Sequence, residues 1–168
     1  MIEDVIAQNH MIVDTLTFSE GVVAQSALRT ISETTDQAGA YAQLLGLSFQ
    51  EMREGRCTAT LQVRQHLLNP HGIAHGGVTF SLADSTCGGA ALSAVGKPRI
   101  LTQDMQIRYH GPAKRGIMEA SAEVIHLGKR TITVQCLVRQ EGMLIASATA
   151  TFAILAESEM SALQPDAG

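Results

Sequence analysis

One stretch of the chain combines turn-forming residues with groups that can do chemistry. It runs from Asn69 to Asp84, contains the pair Gly76-Gly77, and leads into a segment rich in Ala, Gly and Leu. If a helix begins at these glycines, its first N–H groups lack partners within the helix and can stabilise an oxyanion on a polarised carbonyl. Glycine suits this position, because an amide without a neighbouring Cβ can approach a bulky group closely.

Asp84 is the candidate acid or base of this stretch. It lies two turns into the predicted helix, among neighbours that include Ala83 and Cys87. Spacing alone leaves two interpretations open: a structural acid that is exposed or hydrogen-bonded, or a partly buried carboxylate with a catalytic role. Aspartate is seldom buried without a partner, so burial of Asp84 would favour the second.

Histidine and cysteine offer weaker chemistry in the same region. His71 and His75 are four residues apart, which invites a metal site. Gly72 lies between them and no third ligand is close in sequence, so we predict no metal site and expect His75 to fix the loop as a hydrogen-bond donor. Three cysteines without CxxC spacing indicate a reduced protein, and Cys87 is predicted to pack as a small hydrophobe.

The elements that position these groups follow from hydrophobic periodicity. From Leu45 onwards, six stretches alternate apolar and polar residues, which predicts strands with one buried face. The segment from Gly76 to Val95 has no alternation and is the predicted covering helix. The order β-β-α-β-β-β-β predicts an α+β fold in which a curved antiparallel sheet wraps around a long central helix, the hotdog layout. The residues predicted to face inward on the third strand are Leu101, Met105, Ile107 and Tyr109, and on the sixth the even positions from Leu144 to Ile154.

A second glycine pair, Gly88-Gly89, lies in the middle of this helix. Glycine in a helix interior is less favourable than alanine by on the order of 1 kcal/mol. We therefore expect the sheet or a second helix to approach closely at this point.

The amino-acid composition limits the classes of protein to which the chain can belong. The chain has 168 residues, of which 45% are hydrophobic and 17% charged, with a formal net charge of −4. No apolar run approaches the ~18 residues of a membrane span, and no overall positive charge would attract nucleic acid or anionic lipid. Residues 1–38 carry two apolar stripes at helical spacing, which predicts a helical extension before one domain at 39–168. An acidic N-terminus and reduced cysteines favour a cytoplasmic location.

Several spaced motifs resemble the PaaI family of hotdog acyl-CoA thioesterases, over roughly residues 41–155. These motifs are Asn69, His75-Gly76-Gly77, Leu82-Ala83-Asp84, Gln103 to Tyr109, and Gly111-Pro112-Ala113. The resemblance implies homodimers, often paired into tetramers, with active sites at the subunit interface. It implies hydrolysis of an aryl- or fatty-acyl-CoA thioester, as in phenylacetic acid degradation, without cofactor or metal.

The resemblance also implies roles for individual residues. Asp84 corresponds to the catalytic carboxylate, acting as general base on water or as nucleophile. Gly76 corresponds to the amide that polarises the thioester carbonyl, and His75 belongs to the same catalytic loop. Asn69 corresponds to a residue that orients the nucleophile or the carbonyl, and Thr102 falls where relatives hold the attacking water.

Substrate binding is assigned to Gly77 and to the turn after Gly128. Lys129 and Arg130 in that turn are the candidates for the CoA phosphates, unless they are only solvated turn residues. Because a thioester is already activated, one carboxylate and an oxyanion hole suffice for hydrolysis. Two alternatives stay open: a hotdog dehydratase or isomerase with a paired His and acid, and a noncatalytic acyl-CoA-binding protein.

Overall fold

The computed structural model describes residues 40–95 and 100–156. The predicted extension at 1–38 and its boundary lie outside these residues and stay a prediction. None of the helices in the described ranges is both long and apolar enough to cross a membrane. The elements are α1 (Ala40–Leu45), β1 (Leu47–Arg53), β2 (Arg56–Val63), a 3-10 turn (Gln65–Leu67), α2 (Gly76–Val95), β3 (Ile100–Tyr109), β4 (Gly116–Leu127), β5 (Thr131–Gln140) and β6 (Met143–Ile154).

The strands form one six-stranded antiparallel sheet in the order β1-β2-β4-β5-β6-β3. Helix α2 contacts all six strands, so the sheet curls around it. The predicted α+β hotdog layout is confirmed, including the bounds of α2. The first strand begins at Leu47, two residues later than predicted, because Leu45 ends α1.

The core lies between α2 and the concave face of the sheet. On β2 and β5, the alternate apolar residues predicted to face inward are at most 1% exposed. They are Cys57, Ala59, Leu61 and Val63 on β2, and Ile132, Val134, Cys136 and Val138 on β5. The strand period of two therefore places one face of each strand against the helix.

The predicted inner face of β3 is wrong at Leu101. The register of β3 with β6 shifts between Thr102 and Asp104, which leaves Gln103 as an extra residue. Such a bulge moves the preceding side chains to the opposite face. Leu101 is accordingly 46% exposed, and Thr102 shares the inner face with Met105.

The same error occurs at the start of β6. Val138 pairs with Ala146 whereas Arg139 pairs with Leu144, so Ile145 is the extra residue. Ile145 is buried and Leu144 is 36% exposed, opposite to the prediction for Leu144. Beyond this bulge the predicted even positions face the core.

The two glycines of the second pair in α2 have different surroundings. A Cβ at Gly89 would lie 2.6 Å from Cys57 Sγ and 3.1 Å from Met52 Cε. A Cβ at Gly88 would meet only Phe152 Cε1, at 3.8 Å, which is ordinary contact. The predicted close approach of the sheet is therefore confirmed at Gly89.

Candidate active site

Asn69 organises the loop that precedes α2. Its N–H donates to the Ile73 oxygen at 2.8 Å, and its own oxygen accepts the Gly72 N–H at 3.0 Å. Its side-chain Oδ1 accepts the N–H groups of His71 at 2.9 Å and Ile73 at 3.4 Å. The described contacts of Asn69 thus brace its own loop, and its predicted role towards the substrate stays a prediction.

The start of α2 satisfies its early N–H groups with one exception. The His75 N–H donates to the Leu67 oxygen at 2.9 Å, and the Val78 N–H to the His75 oxygen at 2.9 Å. The Gly77 N–H donates to His75 Nδ1 at 3.0 Å. Within residues 40–95 and 100–156, the Gly76 N–H has no acceptor. This amide can therefore donate to a negatively charged oxygen at the positive end of the helix dipole.

His75 fixes the helix start as a hydrogen-bond acceptor, not as the predicted donor. Its Nδ1 accepts the Gly77 N–H, so a neutral ring carries its proton on Nε2. The Gly77 N–H, predicted to contact substrate, is already engaged in this bond. A Cβ at Gly77 would lie 3.1 Å from His75 Nδ1, so glycine leaves room for the histidine ring, and the predicted substrate contact of Gly77 stays a prediction.

Asp84 lies two turns further along α2 and is partly buried. Thr102 Oγ1 donates to Asp84 Oδ1 at 3.2 Å, a contact that the bulge in β3 makes possible. Burial raises the pKa of Asp84, and the hydrogen bond from Thr102 lowers it by less. A carboxylate with a raised pKa binds a proton more strongly than an exposed aspartate, as a general base must.

Tyr109 is the residue at this site to which the sequence interpretation assigned no role. Its hydroxyl donates to the Gly76 oxygen at 2.9 Å. A Cβ at Gly76 would lie 3.4 Å from the hydroxyl oxygen, so the ring packs against the first turn of α2. Burial raises the pKa of Tyr109. The available signal was the alternation of β3, which placed Tyr109 on the inner face.

The two candidate groups, the Gly76 N–H and the Asp84 carboxylate, are not adjacent within one chain. Eight residues separate Gly76 from Asp84 on α2, a rise of about 12 Å at roughly 1.5 Å per residue. Reacting atoms need to be roughly 3–3.5 Å apart. The chain therefore pairs Tyr109 with Gly76 and Thr102 with Asp84, but leaves these two pairs apart.

Lys129 and Arg130 form the exposed turn between β4 and β5. The Ile154 N–H donates to the Arg130 oxygen at 2.8 Å, which ties the turn to the end of β6. Ile154 in turn pairs with Ile100 at the start of β3. The turn thus lies at the end of the sheet where Thr102 is found, two strand spacings or about 10 Å away across the sheet.

A cavity of about 330 Å³ opens beside the start of α2. This volume is near the lower end of the roughly 300–1,000 Å³ typical of ligand pockets. Tyr41 lines it and is hydrogen-bonded to Ser81 Oγ at 2.6 Å, which ties α1 to α2. The other lining residues include Leu45, Leu67, Leu68, Val78 and His75.

The three cysteines are free and buried. A hydrogen bond with Cys136 and burial raise the pKa of the Cys87 thiol, and burial raises that of Cys57 to about 12. Thiols in this state carry almost no thiolate at neutral pH and are poor nucleophiles. The prediction that Cys87 packs as a small hydrophobe is confirmed.

Comparison with known proteins identifies the family. The sequence profile of the Thioesterase superfamily matches residues 71–146. The phenylacetic acid degradation protein PaaI of Thermus thermophilus, solved as a mutant, has a TM-score of 0.65 at 31% identity, over 68% of this chain and 98% of that one. The chain belongs to the PaaI-like hotdog thioesterases. The E. coli PaaI protein from the phenylacetic acid degradation operon has a TM-score of 0.73 at 26% identity, over 80% of this chain and 96% of that one.

A curated relative of this PaaI-like thioesterase carries an activity in its name. Acyl-coenzyme A thioesterase PaaI of Escherichia coli K12 is 35% identical over 97 residues, 55% of this chain and 65% of the relative. The superfamily match begins in the loop before α2 and ends in β6. It therefore includes Gly76, Asp84 and Thr102, whereas Asn69 lies just outside it.

Proposed function

We propose that this PaaI-like thioesterase hydrolyses the thioester of an aryl- or fatty-acyl-CoA to a free acid and CoA. The observation that carries the proposal is the state of Asp84, a partly buried carboxylate with a raised pKa and a hydrogen bond from Thr102 at 3.2 Å. An ionisable group perturbed in this way is typical of functional sites. The family and the name of the E. coli relative supply the reaction class.

In the proposed reaction, the acyl carbonyl oxygen accepts the free N–H of Gly76. Asp84 removes a proton from water as the water oxygen attacks the carbonyl carbon, and Thr102 keeps the carboxylate oriented. The tetrahedral oxyanion collapses, the C–S bond breaks, and the CoA sulfur leaves and takes up a proton. Direct attack by Asp84 is the alternative, in which water then hydrolyses an acyl-aspartyl anhydride.

The separation of about 12 Å along α2 motivates the proposed assembly. A thioester held by Gly76 is out of reach of Asp84 in the same chain, so we propose that Asp84 of the partner subunit attacks it. The protein would then be a homodimer or homotetramer with sites at the subunit interface. The described subunit has a surface available for such contacts, because β3 is an edge strand and mostly exposed.

The remaining parts of the substrate have candidate positions. The acyl group would enter the cavity of about 330 Å³ beside the start of α2, where Leu45, Leu67, Leu68 and Val78 supply apolar lining. Lys129 and Arg130 would bind the CoA phosphates, since both are exposed cations at the Thr102 end of the sheet. A local basic turn of this kind accommodates an anionic ligand on a protein of net charge −4.

A panel of aryl- and fatty-acyl-CoAs, assayed for released thiol, tests the proposal. Asp84→Asn keeps the shape of the side chain and removes the base, so kcat should fall on the order of 10²-fold or more. Glu119→Gln is the matched control, because Glu119 is an exposed carboxylate on β4, away from the proposed contact strand β3, and should leave kcat unchanged. Near wild-type hydrolysis by Asp84→Asn would overturn the assignment.

The same panel separates the two alternatives. A dehydratase or isomerase would use a histidine paired with an acid and would leave the thioester bond intact, so it would release no thiol from the panel. A noncatalytic acyl-CoA-binding protein would bind members of the panel without releasing thiol.

A further inference from the structure

Strand β3 touches α2 at two functional points. Thr102 near its start contacts Asp84, and Tyr109 at its end contacts Gly76. Thr102 has a role in the proposed reaction, whereas Tyr109 has none. The Tyr109 hydroxyl donates to the Gly76 oxygen at 2.9 Å, although the residue is 51% exposed and contributes little to the core.

The peptide that joins Gly76 to Gly77 is held at both of its polar ends. Tyr109 donates to its oxygen at 2.9 Å, and His75 Nδ1 accepts its N–H at 3.0 Å. Two successive glycines are conformationally permissive, so the backbone alone would define this turn poorly. Side chains from the preceding loop and from β3 therefore supply the constraint that residues with a Cβ would provide elsewhere.

Holding the Gly76–Gly77 peptide in place also orients the preceding peptide, which carries the Gly76 N–H. Rotation of the Gly76–Gly77 peptide changes the backbone angles at Gly76, and with them the direction of the Gly76 N–H relative to α2. That N–H is the group with no acceptor in the described ranges. An oxyanion donor is effective only when it is aimed in advance, and a displacement of about 1 Å can cost on the order of 10²-fold in rate.

We propose that Tyr109 is a positioning residue that aims the Gly76 N–H at the thioester oxygen by holding the Gly76 carbonyl. The role rests on the proposed thioesterase function. Tyr109 acts through Gly76 and is not itself a catalytic residue. Loss of its hydroxyl therefore affects transition-state stabilisation, and leaves CoA binding and the base Asp84 unaffected.

Tyr109→Phe tests the proposal, because it keeps the ring against Gly76 and removes only the donor. We expect kcat on the best acyl-CoA of the panel to fall about tenfold, less than the roughly 10²–10³-fold for loss of an oxyanion donor itself. KM should stay within about twofold, and the acid limb of the pH–rate profile, which reports Asp84, should not move. A bond that only stabilises the fold would lower the unfolding midpoint and leave kcat per folded molecule unchanged.

Ser147→Ala is the matched control. Ser147 on β6 shares a hydrogen bond of 2.8 Å with His110, the residue after Tyr109, and makes no described contact with α2. This variant also loses one exposed hydrogen bond near the end of β3, so its kcat should equal that of the wild type. A kcat of Tyr109→Phe within twofold of the wild type would overturn the proposal.

Amide hydrogen exchange separates this inference from the proposed function. In Tyr109→Phe the Gly77 N–H should exchange at least several-fold faster than in the wild type, because its peptide has lost one of its two side-chain contacts. If the wild type hydrolyses no acyl-CoA of the panel, the proposed function fails, and faster exchange then supports only the structural part of the inference, that Tyr109 holds the Gly76–Gly77 peptide. Unchanged exchange would overturn that role with or without activity.

Discussion

Helix α2 contains two glycine pairs with the same sequence and different surroundings. Gly76-Gly77 begins the helix, is accessible, and has its joining peptide held by Tyr109 and His75. Gly89 of the second pair is buried beneath β1 and β2, where Cys57 leaves no space for a side chain. The first pair leaves the Gly76 N–H without an acceptor in the described ranges, whereas the second lets the sheet approach. Glycine is thus assigned to the proposed site at one end of the helix and to packing in its middle.

Among the glycine substitutions, Gly76→Ala should have the largest effect on activity and should separate activity from stability. The new Cβ would lie 3.4 Å from the Tyr109 oxygen, an ordinary contact, so the fold should accept it. The methyl group would narrow the approach to the free N–H, and we expect kcat/KM for acyl-CoA to fall on the order of 10- to 10²-fold. Thiol-release kinetics and thermal unfolding measure the two effects. A clear loss of stability would show that the first pair also has a packing role.

Gly89→Ala should have the opposite outcome. A Cβ 2.6 Å from Cys57 Sγ forces the sheet or the helix to move, and overpacking of this kind typically destabilises by about 1–3 kcal/mol. The activity of the molecules that remain folded should be close to normal. Denaturant unfolding gives the free energy change, and Cys57→Ala in the same chain should recover part of it by removing the sulfur. Full stability of the single variant would contradict the close approach.

Thr102→Val tests whether the hydrogen bond from β3 lowers the pKa of Asp84, the second group of the proposed site. As the proposed base, Asp84 would act only when ionised, so activity should fall as the pH drops through its pKa, which burial has raised. The Thr102 hydrogen bond opposes that shift, so its loss should raise the pKa further and move the acid limb to higher pH. Thr102→Ser keeps the hydroxyl and should leave the limb in place. If the acid limb of Thr102→Val stayed in place or moved to lower pH, the Thr102 hydrogen bond would not be what lowers the pKa of Asp84.

Much of the fold that positions the two glycine pairs was predictable from the amino-acid sequence. Alternation located all six strands, and the switch to an unbroken apolar segment located α2 from Gly76 to Val95. Single-residue bulges were invisible, because an inserted residue such as Gln103 leaves composition and turn signals unchanged while it reverses a face. Alternation therefore placed Leu101 inward, and only the family resemblance pointed to Thr102.

Contacts between residues far apart in the sequence were the other feature that could not be predicted. The bond between Tyr109 and Gly76 joins residues 33 positions apart, and it depends on how far β3 extends along α2. Local sequence rules contain no information on that alignment. The proposed reach of Asp84 into a second subunit is different, because the family resemblance implies interface sites and the spacing of Gly76 and Asp84 on a predicted helix already gives their separation.

Gly88→Ala should have the smallest effect and sharpen the comparison within the second pair. Its Cβ would lie 3.8 Å from Phe152 Cε1, so the sheet leaves room for a methyl group there. Alanine is a better helix former than glycine, and we expect stabilisation of about 0.5–1 kcal/mol with unchanged kcat. For a chain of this size, that corresponds to a rise in Tm of roughly 1–4 °C. Destabilisation comparable to that of Gly89→Ala would mean that another surface, such as a second copy of the chain, packs against Gly88.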